Sequence, residues 1–342
     1  MMDDLVAILR AAGEPTRLRL LAILARGELT VTELTQVLCQ SQPRISRHLK
    51  LMVDAGLLER KPEGSWAFYR LAQEGRSVES ADGARLAAML AALVPHSDSA
   101  LARDIERLET VKAARSAAAE AYFRTNAQRW RELRSLHVSE TEVERAVLDL
   151  VGPGPYNHLV DLGTGTGRML ELLAPRIRHG TGIDSNHEML TLARTTLDRA
   201  GLRHCQVRYG DIFSLPFARI ENDGDEAVDL ILIHQVLHYL ADPAAAIAEA
   251  ARVLAPGGRI LVIDFAPHDI EELRSAHAHR RLGFSADEVA GYLESAGLVV
   301  DEVKHLAPES KDAGEQRLTV TMWRAHAPRA VKRAPRLEAA RA

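Results

Sequence analysis

The stretch VDLGTGTGRML at Val160–Leu170 sets three glycines two apart, directly behind an apolar run and ahead of a helix-patterned one. Glycine enters the φ > 0 region without a Cβ penalty, so Gly163, Gly165 and Gly167 specify a tight strand-to-helix turn that a ligand can approach closely. Such a turn belongs to a doubly wound α/β sheet, whose ligands sit beyond the carboxyl ends of the strands. A dinucleotide loop, G-x-G-x-x-G, would need its last glycine where Arg168 stands, which disfavours NAD, and no Gly-Lys-Ser/Thr ending supplies a P-loop. Downstream of Gly152-Pro153-Gly154-Pro155 the pattern predicts parallel strands at His158–Leu162, Gly180–Asp184, Cys205–Gly210, Ala227–His234 and Arg259–Phe265. Leu298–His305 and Leu318–Arg324 read as a closing antiparallel pair.

The N-terminal part has a different texture. Apolar residues at helical spacing over Leu5–Ala12 and Pro15–Leu24 are broken by Gly13, and a third helix, Thr32–Leu38, takes Thr30 or Thr32 as cap with Glu33 in its first turn. Pro43 suits the first turn of a fourth helix, Pro43–Asp54, which Ala55-Gly56 ends; Leu57–Arg60 and Trp66–Leu71 read as strands around a turn at 61–65. This order is a winged helix-turn-helix. In the fourth helix Ile45, Leu49 and Met52 recur at i, i+4 and i+7 and pack inward, leaving Gln42, Arg44, Arg47 and Lys50 outside together with Ser46 or His48. Arginine reads guanine bidentately and Gln reads adenine, while Lys50 and the wing residues Arg60, Lys61 and Arg70 suit phosphates.

A length of 342 residues suits two cores rather than one. The net charge of −4 conceals basic ends around an acidic body, with six basic against one acidic residue over 324–342. Two cysteines, Cys39 and Cys205, give neither a disulfide framework nor a CxxC zinc site and read as reduced, buried thiols. An acidic start and no run of about 18 apolar residues predict neither leader nor anchor, hence a cytoplasmic protein with no membrane partner. The expected organisation is a DNA-binding domain over 1–75, dimerisation and linker helices over 76–145, a cofactor domain over 146–325 and a basic tail over 326–342. The Ala/Leu-rich segment GARLAAMLAALV supplies the dimerisation helix. Tyr122, Phe123 and Trp130 either cap the ligand or fill a helix interface.

The segments GEPTRLRLLAIL, ELTVTEL, SQPRISRHL and AGLLE resemble the ArsR/SmtB family of dimeric bacterial repressors over about residues 1–75. The resemblance implies a homodimer on a pseudo-palindromic duplex operator. Metal sensors of that family carry Cys-x-Cys where this chain has Thr30 and Thr32, and hydroxyls do not replace thiolates for soft metals; the family's other site finds no His over Ser77–Val94. The resemblance therefore implies a sensor of something other than metal.

The D-x-G-x-G-x-G loop with its ordered followers resembles the class I S-adenosylmethionine (SAM)-dependent methyltransferases over about residues 120–325. That resemblance places the methionine half of SAM, or of its product S-adenosylhomocysteine (SAH), on Asp161, Gly163, Thr164, Gly165 and Gly167. It places the ribose on Asp184 beside Ser185, and the adenine on Gly210, Asp211 and Ile212, with His234-Gln235 near the methyl. No metal is implied. Where a proton must leave the methyl acceptor, His234 or His238 could act as base, the alternative for His238 and Tyr239 being packing at a helix start. His268, His277 and His279 either line a pocket or decorate a solvated face.

Two functions follow from the pairing of segments. In one, a transcriptional regulator, expected to repress, uses its methyltransferase-like domain to sense SAM or SAH. In the other, an active small-molecule methyltransferase is tethered to a regulatory DNA-binding domain. A metalloid methyltransferase fails on cysteines, since Cys39 and Cys205 fall in different domains.

Overall fold

The computed structural model describes residues 2–63, 66–72, 81–95, 97–115, 117, 139–217, 227–273, 279–307 and 318–329. Contacts divide the chain into two units, Met1–His137 with Pro153–Ile212, and Val138–Gly152 with Phe213–Ala342. Tyr122, Phe123, Trp130, His277 and the tail beyond Arg329 lie outside the described residues.

The first unit begins with α1 (Met2–Ala12) and α2 (Pro15–Leu24), the latter started by Pro15 and by the Glu14 carboxylate accepting from Arg17 N. Helix α3 (Val31–Leu38) is fixed by a capping box: Thr30 Oγ1 accepts from Glu33 N while the Glu33 carboxylate accepts from Thr30 N. Cys39 ends α3 at φ 50° and is exposed, unlike Cys205, so the expectation of two buried thiols holds for Cys205 alone. Helices commonly end on a left-handed residue whose N–H serves one of the last carbonyls, and Cys39 is that residue here, bonded to Thr35 O. Helix α4 (Gln42–Asp54) buries Ile45, Leu49 and Met52 completely, against a core that includes Leu20, Leu21, Ile23, Leu34, Val37 and Leu57.

Strands β2 (Leu58–Glu63) and β3 (Trp66–Leu71) pair with Glu63 opposite Trp66, so positions 61–63, predicted as turn, belong to β2. Pro62 is tolerated inside β2 because β2 lies at the edge of the three-stranded sheet. Its other edge is β1 (Leu29–Thr30), too short to show a sequence period. Helix α5 (Ala81–Leu93) packs on α2, and a helix α6 over 99–115 carries the fully buried Asp104, which accepts from both Nε and Nη2 of Arg19 on α2.

The same unit continues with β4 (Tyr156–Leu162), α8 (Arg168–Leu173), β5 (Ile177–Asp184), α9 (His187–Arg199) and β6 (Cys205–Tyr209). The three strands are parallel in the order β6-β5-β4. The second unit holds α7 (Glu140–Val151), β7 (Val228–His234), α10 (Pro243–Val253), β8 (Leu254–Phe265), α11 (Ala286–Ser295), β9 (Val299–Leu306) and β10 (Val320–His326). Here the order is β7-β8-β10-β9, with β7 and β8 parallel and the rest antiparallel. All seven strands predicted for this part are present, and the closing antiparallel pair makes the sheet mixed. Strand β8 begins at Leu254, five residues before the predicted Arg259, and takes in Pro256-Gly257-Gly258, where the register against β7 shifts between Val228 and Leu230. Among the described residues no helix is long and apolar enough to cross a membrane.

The two faces of α4 have opposite energetic roles, which denaturant unfolding separates. Leu49→Ala should cost about 2–5 kcal/mol, from lost burial and the cavity left behind. Arg47→Ala, on the exposed face, should stay within about 0.5 kcal/mol of the wild type.

Candidate nucleic-acid face and cofactor loop

Along α4, Gln42, Arg44, Arg47 and Lys50 are exposed and Ser46 is half-buried. His48 turns toward α2 instead, with Nδ1 3.8 Å from the Glu14 carboxylate, and burial lowers its pKa. In the wing Arg60 is exposed, and Lys61 lies on β2 with its side chain outside the described set. Arg70 does not join them: it is 7% exposed and its Nε donates to Glu59 at 3.1 Å. A guanidinium spent on a cross-strand carboxylate is not presented to phosphate, and a period of two along β3 could not distinguish these fates.

The glycine loop takes the conformation its composition demands. Gly163, Gly165 and Gly167 have φ of 71°, 53° and 77°, all left-handed. Gly163 N and Thr164 N both donate to Ile183 O, pinning the loop across the end of β5. A Cβ added at Gly182 would come 2.6 Å from Thr164 Oγ1, so β5 must be bare where the loop crosses it. A Cβ at Gly165 would meet nothing within 4 Å among the described residues. The loop therefore leaves open space over Gly165, as a ligand that approaches backbone requires.

Two carboxylates hold this loop. Asp161, 1% exposed, accepts from Thr164 Oγ1 at 2.6 Å; burial pushes its pKa up to about 7, with the Thr164 bond opposing and the Asp184 charge adding to the rise. Asp184, half-buried at the end of β5, accepts from Gly165 N at 2.8 Å through Oδ2 and from Asn186 N at 2.9 Å through Oδ1. Each oxygen keeps a lone pair, so the pair of oxygens can still accept from a vicinal diol. Ser185 is exposed beside it, and Asn186 caps α9 by accepting from Glu188 N and Met189 N. Gly210 N donates to Asp184 O at the end of β6, followed by exposed Asp211 and half-buried Ile212.

Asn186, His187 and Tyr209 escape a reading by motif. His187, opening α9, stacks on Tyr209 at 4.5 Å between centroids and 8° between planes, and Tyr209 is 43% exposed. A flat, partly open ring pair beside Asp184 is a surface on which a heterocycle can stack. Its partners lie on different elements, so no local period announces it. Open space over Gly165, a diol acceptor and an aromatic platform together fit a nucleoside carrying an amino-acid tail.

In the second unit His234 ends β7, with burial lowering its pKa to about 4 and its Nε2 buried without a hydrogen bond among the described residues. Gln235 follows at φ 55°, a strained conformation for a non-glycine. His238 is 2% exposed, with Nδ1 2.7 Å from Asp264 Oδ1, and its ring packs against Tyr239, Phe265 and His279. This arrangement packs and hydrogen-bonds a helix start. His268 is half-buried with its pKa lowered by burial, and no metal-holding group of His, Cys, Asp or Glu occurs among the described residues.

The raised pKa of Asp161 has a measurable sign. Between its ordinary 3.8 and about 7 the folded state holds a proton the unfolded state has lost, so this group's stability contribution is full below that window and is lost as pH rises through it. Asp161→Asn removes the ionisation and keeps an acceptor for Thr164. Its Tm should exceed the wild type's by about 2–4 °C or more at pH 8, with the gap closing toward pH 4 in scanning calorimetry.

Residues 160–262 match the family described as methyltransferase domain, and residues 14–60 match that described as bacterial regulatory protein, arsR family. An uncharacterized 37.1 kDa protein in a transposon of Streptomyces fradiae is 31% identical over 182 residues, 49% of this chain and 50% of that protein. The uncharacterized methyltransferase YcgJ of Bacillus subtilis is 30% identical over 114 residues, 33% of this chain and 43% of its own. The arsenic resistance transcriptional regulator ArsR1 of Pseudomonas putida is 44% identical over 68 residues, 20% of this chain and 53% of its own. The chain thus spans about half the length of these relatives. It joins an arsR-family helix-turn-helix to a methyltransferase domain in one polypeptide.

Proposed function

We propose that the protein is a DNA-binding transcriptional regulator, acting as a repressor, whose methyltransferase domain binds SAM or SAH and reports the cofactor to the recognition helix. The observation that carries this reading is the Asp184 carboxylate, bonded to Gly165 N and Asn186 N with acceptor capacity left for a ribose, on the same chain as an α4 whose exposed face is Gln42, Arg44, Arg47 and Lys50. Asp161, Gly163, Thr164, Gly165 and Gly167 then take the methionine half, Ser185 joins Asp184 at the ribose, and Gly210, Asp211 and Ile212 border the adenine with Tyr209 and His187. His234, at the end of β7, is a neutral imidazole at neutral pH.

His234, with a pKa near 4, is a weak acceptor for a hydroxyl's proton at neutral pH, which supports a binding role for it over that of a general base. The partner is a pseudo-palindromic duplex, with Ser46, Arg60 and Lys61 completing the DNA-facing set and His48 at its inner margin. Exposed apolar side chains on α1 (Met2, Leu5, Val6, Leu9) and on α5 (Met89, Leu93) support a homodimer through these helices. Thr30 is spent on the α3 capping box, which supports a sensor that does not use the metal ligands of its relatives.

The test is a titration of full-length protein against a duplex selected by that protein from random-sequence DNA, with SAM, with SAH and without ligand. One ligand should change the affinity about 5–150-fold, the usual span of allosteric coupling. Equal affinities in all three conditions overturn the sensor reading. On the same duplex Arg47→Ala should weaken binding by about 1–3 kcal/mol if Arg47 reads a base.

A further inference from the structure

Helix α9 belongs to two neighbourhoods at once. Its first turn is seated by the strand before it, where Asp184 holds Asn186 N and Asn186 caps the helix, and its middle touches the glycine loop, where a Cβ at Gly167 would come 3.2 Å from Ala193 Cβ. Its C-terminal half touches the helix-turn-helix segment. Arg194 is 4% exposed, and its Nε donates to Glu28 Oε1 at 2.6 Å while its guanidinium carbon lies 3.8 Å from the Phe68 ring centroid on β3. One turn later Asp198 stands 3.6 Å from both Lys112 Nζ and Arg115 Nη1 on α6. Arg115 Nη2 in turn donates to Glu33 Oε1 at 2.6 Å. Glu33 is the capping-box residue of α3, and Phe68 pairs with Thr30, the cap itself.

Backbone bonds reinforce the same seam. Lys112 Nζ donates to Arg26 O at 2.9 Å, and Arg203 Nη1 donates to Ala25 O at 3.0 Å. Gly27 is the residue that lets this loop approach α9, since a Cβ there would come 3.1 Å from Asp198 Oδ1. Holding the cofactor requires none of these contacts. A buried guanidinium is stable only beside a partner, and the partner of Arg194 is 166 residues away in the DNA-binding segment.

We infer that α9 is the element that transmits ligand occupancy from the glycine loop to the DNA-reading fold, with the Arg194–Glu28 pair and the Asp198–Arg115–Glu33 chain as its grip. The inference rests on the sensor reading above. A ribose on the Asp184 oxygens acts on the bonds to Gly165 N and Asn186 N, which seat the start of α9. A helix of 13 residues moves as a rod about 20 Å long, so its far end shifts with its near one. The C-terminal half of α9 meets Phe68 of the wing through Arg194 and reaches Glu33 at the start of α3 by way of Asp198 and Arg115. The ligand thus biases the setting of α4 through charge-paired contacts that make no part of the ligand site.

The experiment uses the full-length protein and two readouts: the SAH Kd by calorimetry, and the Kd for the selected duplex with and without saturating SAH. Arg194→Met keeps an apolar stem against Phe68 and removes the bond to Glu28; Glu28→Gln/Arg194→Met neutralises both partners, so no buried charge is stranded if the single variant folds poorly. Expected are an SAH Kd within about 3-fold of wild type and a ratio of duplex affinities with and without SAH that falls from the wild-type value to within about 2-fold of unity, against the 5–150-fold usual for coupled sites. A folded variant that binds SAH and keeps the wild-type ratio overturns the proposed route while leaving the sensor reading intact. A ratio of unity in the wild type overturns the sensor reading, and the route with it.

Discussion

The hydrogen bonds from Gly165 N and Asn186 N to the Asp184 carboxylate organise the first unit. One oxygen closes the glycine loop against β5 and the other seats the residue that caps α9. A charged acceptor holding two backbone N–H groups is worth more than a neutral one and fixes direction as well as distance. The loop conformation that makes this possible needs three left-handed residues in alternation, which only glycines supply cheaply. The glycine loop and the start of α9 are therefore fixed by the same side chain.

The DNA-reading half has its own economy of contacts. Ile45, Leu49 and Met52 anchor α4 so completely that its outer face carries no structural duty, which leaves Gln42, Arg44, Arg47 and Lys50 for a partner. Three arginines among the described residues meet different fates. Arg47 is exposed, Arg70 is absorbed by Glu59 within the wing, and Arg194 is buried between Glu28 and Phe68. Charge totals alone would count all three as potential phosphate contacts; burial and partners sort them.

The sequence makes local features legible and distant pairings opaque. The inward spacing of Ile45, Leu49 and Met52, the Thr30–Glu33 cap, the glycines of the loop and all seven strands of the cofactor part follow from periods of two and 3.6 and from turn chemistry. What escapes depends on partners far along the chain. The two-residue strand β1 exists only because β3 pairs with it. His187 meets Tyr209 across two elements, and Arg194 meets Glu28 across 166 positions. No window along the sequence contains either contact, yet the second connects α9 to the helix-turn-helix segment.

Linkage supplies the most direct test of the claim that ligand and DNA communicate through this chain. If SAH changes the affinity for the selected duplex by some factor, the duplex must change the affinity for SAH by that same factor. Calorimetric titration of SAH into the full-length protein, alone and saturated with duplex, measures this. The account predicts two SAH Kd values whose ratio equals the SAH-induced change in duplex affinity; identical SAH affinity in the two titrations would contradict it.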